Sequence, residues 1–277
     1  MKIVIASGKG GTGKTLVAIN LALSVGANQV LDCDVEEPND HIFLRPSETI
    51  SKPVELQVPI IDETKCTYCR ACAEFCQFNA LFVVGETAMV FPKLCHSCGG
   101  CKLVCPTGAI TETPRSVGEI VIGDVDGIEL VYGKLDIGEV FSVPIISAVK
   151  EEAINQGLVI LDSPPGSACP VVESVMGADF CILVTEPTPF GLHDLEVAVE
   201  VIVKLGIPLG VVVNFAGIGD RAVYDYCEMM KLPILMEIPY DRKIAELYSR
   251  GISFVEEMPE WKAEFQELFC KIMEIVK

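Results

Sequence analysis

The sequence predicts an α/β protein, a doubly wound and mostly parallel sheet interrupted by a small inserted α+β module. Three observations carry this. Short apolar runs alternate with helix-length stretches along most of the chain, as a parallel sheet with crossover helices requires. The alternation stops near residue 60, where clustered cysteines take its place. It resumes after residue 113 and continues to the end. The expected organisation is therefore a first part over residues 1–59, an insert over 60–113 and a second part over 114–277. Pro59 and Pro114 are natural breakers at the two joints.

The elements follow in order. Residues 2–7 (KIVIAS) read as a buried strand, 16–25 as a helix and 29–31 as a second strand. Residues 117–143 are Gly-punctuated and alternating, and read as short antiparallel strands that return the chain to the core. Buried strands are expected at 158–161 (LVIL), 180–185 (FCILVT) and 209–213 (LGVVV). Helices are expected at 145–155, 192–204, 221–230, 243–249 and 260–275. The last sets Trp261, Phe265, Leu268, Phe269, Ile272 and Ile275 on one stripe. Its polar face mixes Lys with Glu instead of being rich in Lys and Arg, so the stripe reads as core packing and not as a membrane-surface face.

Composition excludes some classes. Net charge is −18, and half the residues are apolar. Residues 61–112 hold four basic and five acidic side chains, so the rest of the chain carries −17. Such a surface argues against nucleic-acid or anionic-membrane binding. No stretch reaches the ~18 apolar residues of a membrane helix. The apolar run at residues 3–6 is too short for a signal peptide. A soluble, cytoplasmic protein with reduced thiols and no membrane insertion is expected.

Eight of the thirteen cysteines lie in two copies of C-x2-C-x2-C-x3-C. These are Cys66, Cys69, Cys72, Cys76 and Cys95, Cys98, Cys101, Cys105, an internal repeat with an offset of 29 residues. The second copy continues into Pro106, whereas Gln77 stands at that place in the first. This is the spacing of bacterial ferredoxins, which hold cubane iron–sulfur clusters on four thiolates. Structural zinc sites instead use separated cysteine pairs, and a disulfide framework needs an oxidising compartment. In two-cluster modules of this type the fourth Cys of each run ligates the other cluster. One [4Fe–4S] cluster is thus expected on Cys66, Cys69, Cys72 and Cys105, and the other on Cys95, Cys98, Cys101 and Cys76.

The first strand runs into Gly8-Lys9-Gly10-Gly11-Thr12-Gly13-Lys14-Thr15, which fits G-x-x-x-x-G-K-[ST]. Glycines let backbone N–H groups close around phosphates, Lys14 reaches the outer phosphates, and the Thr15 hydroxyl binds Mg²⁺. Strand, loop and helix fall in the order this motif requires. Asp162 ends the LVIL strand, the Walker B position that holds Mg²⁺ commonly through water. Asp32-Cys33-Asp34 ends the second strand as an acidic pair.

Lys9 makes the loop K-G-G-T-G-K-T, and here the chain resembles the MinD/ParA/nitrogenase iron protein group of P-loop ATPases. The cysteine array adds an inserted two-cluster ferredoxin domain to that resemblance. It implies a homodimer formed with ATP and Mg²⁺, in which Lys9 reaches the partner subunit's nucleotide. It implies that Asp34 orients the attacking water or senses Mg²⁺. It makes Pro164, Pro165 and Gly166 a switch that reports the γ-phosphate. It places Asn214 and the turn Pro239-Tyr240-Asp241 beside adenine. Catalysis would rest on Lys9, Lys14, Asp34 and Asp162, with Gly8, Gly10, Gly11, Thr12, Gly13 and Thr15 on the nucleotide. A redox or cofactor-assembly protein would be the further partner. Cys169 follows the switch, but no second ligand is evident beside it.

Overall fold

In the computed structural model, which describes residues 1–277, the chain begins β1 (Lys2–Ala6), α1 (Lys14–Val25), β2 (Gln29–Asp32), α2 (Asp40–Leu44) and β3 (Thr49–Ile61). The cysteine-rich stretch follows with α3 (Ala71–Phe75), β4 (Leu81–Val84), β5 (Thr87–Val90) and α4 (Gly100–Leu103). Then come β6 (Ile110–Val125), β7 (Ile128–Leu135), α5 (Val143–Glu151), β8 (Val159–Asp162), α6 (Cys169–Val175) and β9 (Phe180–Thr185). The chain ends α7 (Pro189–Lys204), β10 (Leu209–Ala216), α8 (Ala222–Met230), β11 (Ile234–Pro239), α9 (Arg242–Ser249), α10 (Phe254–Glu257) and α11 (Glu260–Ile275).

Nine strands form one sheet in the order β11-β10-β9-β1-β8-β2-β7-β6-β3. From β11 to β7 all neighbours are parallel, while β6 and β3 are antiparallel additions. The central strands are apolar without a polar face because helices cover both sides. Alternate residues feed opposite layers. Ile3 and Ile5 pack with α1 and with Phe265, Leu268 and Ile272 of α11. Val4 and Ala6 pack with Ile145 and Val149 of α5 and Leu195 and Val199 of α7. Most of the α11 stripe is thus spent on the core, with Trp261 and Phe269 packed against it and Ile275 exposed. No helix is long and apolar enough to cross a membrane.

The antiparallel end differs from the sequence reading. Residues 117–143 contain no series of short strands. The end of β6 and the whole of β7 form one hairpin, turned by Asp126 and Gly127 with φ of +51° and +87°. These left-handed values suit a two-residue hairpin turn. Pro59 and Pro114 do not break the chain either. Pro59 sits opposite Glu112, and Pro114 opposite Gln57, inside the β3–β6 pairing. Both are tolerated because β3 is an edge strand, and because β7 pairs with β6 only from Gly118 onward. Before Gly118, over residues 110–117, β6 pairs only with β3, and the two strands extend as a ribbon with residues 62–109 at its tip. The Asp62 N–H donates to the Ala109 carbonyl at 2.8 Å, closing the base of that tip. Gly118 is required where the ribbon departs, since a Cβ there would lie 2.1 Å from the Lys134 carbonyl oxygen.

Candidate functional site

Parallel α/β sheets bind ligands at the carboxyl ends of their strands, and the loop after β1 lies at that edge. Gly11 and Gly13 take φ of +79° and +98°, a region costly for residues with a Cβ. The loop is also closed from the side. Asn214, at the end of β10, is buried, and its amide donates to the Thr12 carbonyl at 2.8 Å. A Cβ on Gly13 would lie 2.3 Å from that amide nitrogen. Gly13→Ala is therefore expected to displace the loop and lower nucleotide affinity at least tenfold, measured by titration with a fluorescent nucleotide. Affinity equal to that of the unsubstituted protein would show that the loop has room to spare.

The loop opens on a cleft of about 310 Å³. Gly10, Gly11, Gly13, Lys14 and Thr15 border one end, and Asp34 and Glu37 the side. Asn214 borders the cleft beside the loop, and Pro239 and Asp241 line it with Phe215 and Tyr240, whose ring centroids are 6.1 Å apart. Asp241 also accepts the Lys243 N–H at 2.7 Å as the cap of α9. Phe215 takes φ of +56°, unusual for a bulky residue. Phe215 belongs to no motif and is brought to the cleft only by the fold.

Lys14 is buried at the cleft floor, and the Thr15 hydroxyl donates to Asp162 Oδ2 at 2.5 Å. Burial pushes the Asp162 carboxyl up to about 7, with Lys14 and Thr15 pulling it back. Burial likewise pushes Asp34 up to about 6, opposed by Lys14 and helped by Glu37 and Glu36. Residues 163–166, which follow Asp162, lean on β1 and the loop behind it. The Ser163 N–H donates to the Ile5 carbonyl and the Gly166 N–H to the Ser7 carbonyl, both at 3.0 Å. Lys9 points away from the cleft floor. Its ammonium lies 2.6 Å from Glu186 Oε1, which also accepts the Thr188 hydroxyl at 2.9 Å.

Beneath this floor lies a grouping that sequence reading missed. Asp32 and Asp162 sit opposite each other on β2 and β8, and Asp40 begins α2 beside them. One oxygen from each of the three lies within 4.8 Å of the others, and all three side chains are buried. Asp40 stands eight positions beyond Asp32 and outside every motif, so only the fold brings it in.

The eight repeat cysteines line two cavities. Cys66, Cys69, Cys72 and Cys105 border one, with Ile61, Val83 and Pro106. Cys76, Cys95, Cys98 and Cys101 border the other, with Phe75 and His96. No disulfide joins any cysteine of the chain. The repeat holds at the level of the backbone. Tyr68 and Ser97 take φ of +52° and +55°, Arg70 and Gly99 +67° and +69°, and Asn79 and Gly108 +53° and +62°. The same N–H reaches sulfur in each copy, from Ala80 to Cys76 Sγ at 3.4 Å and from Ala109 to Cys105 Sγ at 3.3 Å. Left-handed turns between clustered cysteines are costly unless the surroundings fix them. Three cysteines of one run and the fourth of the other border each cavity, a four-thiol donor set that fits a cubane cluster. Cys169 is exposed at the start of α6.

The sequence matches the CobQ/CobB/MinD/ParA nucleotide binding domain over residues 3–254. The chain belongs to this nucleotide-binding family. Within it, the chain is 32% identical over 283 residues to the uncharacterized protein MJ0579 of Methanocaldococcus jannaschii, covering 94% of this chain and 97% of that protein. It is 24% identical over 304 residues to an iron-sulfur cluster carrier protein of the same organism, covering 100% of this chain and 85% of that one. The fold is that of the septum site-determining protein MinD of Pyrococcus horikoshii, solved with Mg-ADP. The TM-score is 0.60 at 20% identity, covering 96% of this chain and 93% of that one. The family thus makes the chain a P-loop nucleotide-binding protein of MinD/ParA type, with its loop between β1 and α1 in the place that fold reserves for phosphates.

Proposed function

We propose that the chain is a homodimeric Mg-ATPase whose residues 60–113 form a ferredoxin domain with two [4Fe–4S] clusters, and that it couples nucleotide state to electron transfer. The observation that carries this reading is the pair of four-cysteine cavities on the same chain as the P-loop cleft. Cys66, Cys69, Cys72 and Cys105 would hold one cluster, and Cys95, Cys98, Cys101 and Cys76 the other. Each supplies a one-electron couple when bound. Lys14, with Lys9 from the partner subunit, would neutralise charge on the transferring phosphoryl group. Thr15 and Asp162 would hold Mg²⁺ and Asp34 would orient water. Asn214, Pro239 and Asp241 would face adenine.

A contact route supports the coupling. The segment between β7 and α5 touches the cysteine-rich tip and ribbon at three points. Lys93 Nζ donates to the Gly138 carbonyl at 3.1 Å, Arg115 pairs with Glu139, and Phe141 meets the His96 ring edge-on at 4.2 Å. His96 also stacks on Phe78 at 3.6 Å and borders the second cavity. Two residues beyond Phe141, α5 begins and packs on α6, where Ser147 donates to Glu173 at 2.9 Å. Helix α6 follows the switch segment directly. A shift in the switch therefore has a packed path to a cluster cavity.

Turnover of anaerobically purified protein, reduced and oxidised, with iron and sulfide analysis, tests the reading. About eight irons per chain and redox-dependent turnover are expected. Phe141→Ala should keep the iron and lose that dependence. Two zinc ions and no sulfide would overturn the cluster assignment. A second reading, delivery of clusters during cofactor assembly, is favoured by the iron-sulfur carrier proteins among the relatives. It expects iron transferable to an apo-acceptor and turnover indifferent to redox state.

A further inference from the structure

We propose that Asp32, Asp40 and Asp162 bind a hard divalent cation, Mg²⁺ or Mn²⁺, inside the protein and without nucleotide. Asp162 is shared with the Mg²⁺ site of the proposed function, so the inference rests on that reading at this one residue and is tested without nucleotide. It rests on an imbalance of charge and of hydrogen-bond partners.

Asp32 is well supplied with donors. Its Oδ1 accepts the Asp34 N–H at 3.0 Å, and its Oδ2 accepts the N–H groups of Asn39 at 2.9 Å and Asp40 at 3.2 Å. Asp162 Oδ2 accepts the Thr15 hydroxyl. Three atoms are left over. Asp162 Oδ1 and both oxygens of Asp40 are buried without any hydrogen-bond partner. Asp40 is fully buried, and the charged groups acting on it are Asp32, Asp162 and Asp34, all acidic. Lys14 offsets charge at Asp162 and Asp34.

Burying unpaired carboxylates is expensive, and native interiors remove such groups by pairing, protonation or a metal ion. One shared proton joins only two oxygens and leaves the third orphaned. A cation ligated by Asp40 and Asp162 offsets the charge of both carboxylates at once. Oxygens on opposite sides of an ion at ~2.1 Å stand about 4.2 Å apart, so three that already lie within 4.8 Å of one another need only a small inward shift to share one ion. An all-carboxylate donor set selects Mg²⁺ or Mn²⁺ over zinc or copper. Such an ion would tie the end of β2, the start of α2 and the end of β8 together beneath the P-loop.

The test is Mn²⁺ binding to cluster-loaded, nucleotide-free protein, read as loss of the free-ion EPR signal. About one Mn²⁺ per chain is expected, retained in high salt, with affinity falling at least tenfold in Asp40→Asn. Should that variant fold poorly, the wild-type count and a Mn²⁺-dependent rise in its melting temperature still decide. Absence of bound Mn²⁺ without nucleotide would overturn the proposal and leave a shared proton as the solution. Binding that salt removes, or that Asp40→Asn leaves unchanged, would mark it as diffuse attraction to an acidic surface and would overturn the proposal equally.

Discussion

Cys105→Ser is expected to remove about four of eight irons and to leave the same residual EPR spectrum as Cys66→Ser. The positions are 39 residues apart, and Cys105 belongs by sequence to the run of Cys95, Cys98 and Cys101. Its side chain nevertheless borders the cavity of the other run. Cys76→Ser should correspondingly match Cys98→Ser, because Cys76 borders the cavity of Cys95, Cys98 and Cys101. If each run held its own cluster, the pairings would reverse, and Cys105→Ser would match Cys98→Ser. The comparison reads which spectrum survives, so it needs no assumption about cluster potential. It also separates ligation from folding: a variant that loses all eight irons has lost the module, not a ligand. Crossed ligation would tie the two copies together, since each loop would complete the other's site.

Much of this arrangement is legible in the residues, for reasons that differ by element. The strand over residues 180–185 and the helix over 260–275 were read at their observed limits because their patterns are unbroken. Strand β11 escaped notice. Pro233 and Pro239 bracket it, Glu237 interrupts it, and it is an edge strand buried mainly on one face. Strand β3 escaped for a similar reason, since most of its residues are exposed and only Val58 and Pro59 are consecutive buried or shielded positions near the tip. Within the site, contiguous motifs were readable because local backbone demands set their spacing. Contacts made by topology were not. Glu186 lies 177 residues from Lys9, and Asn214 lies 202 from Thr12. Nothing local marks Asp40 as a partner of Asp32 and Asp162. The short linker that meets the cysteine-rich tip at Gly138, Glu139 and Phe141 has no pattern at all, and its role follows only from what it touches.

Lys14→Ala and Lys9→Ala are expected to fail in different ways, although both should lower turnover by roughly 10²–10³-fold, the range for losing one preorganised charge donor. Lys14 is buried at the floor of the cleft, where its charge acts on both Asp34 and Asp162. Without it, a phosphate entering the loop would meet those carboxylates unscreened. Nucleotide affinity should therefore fall along with turnover, and the nucleotide-free protein should itself melt lower as the carboxylates lose their nearest cation. Lys9 stands apart, half-buried against Glu186. Its removal frees an anion that solvent and Thr188 can accommodate, so stability and affinity for the first nucleotide should hardly change. What should disappear is nucleotide-dependent dimerisation, read by light scattering with a non-hydrolysable ATP analogue. If Lys9 acted only within its own subunit, dimerisation would survive Lys9→Ala. If Lys14→Ala bound nucleotide normally, the cleft between Gly10 and Tyr240 would not be the phosphate site, and the proposed ATPase chemistry would fall with it.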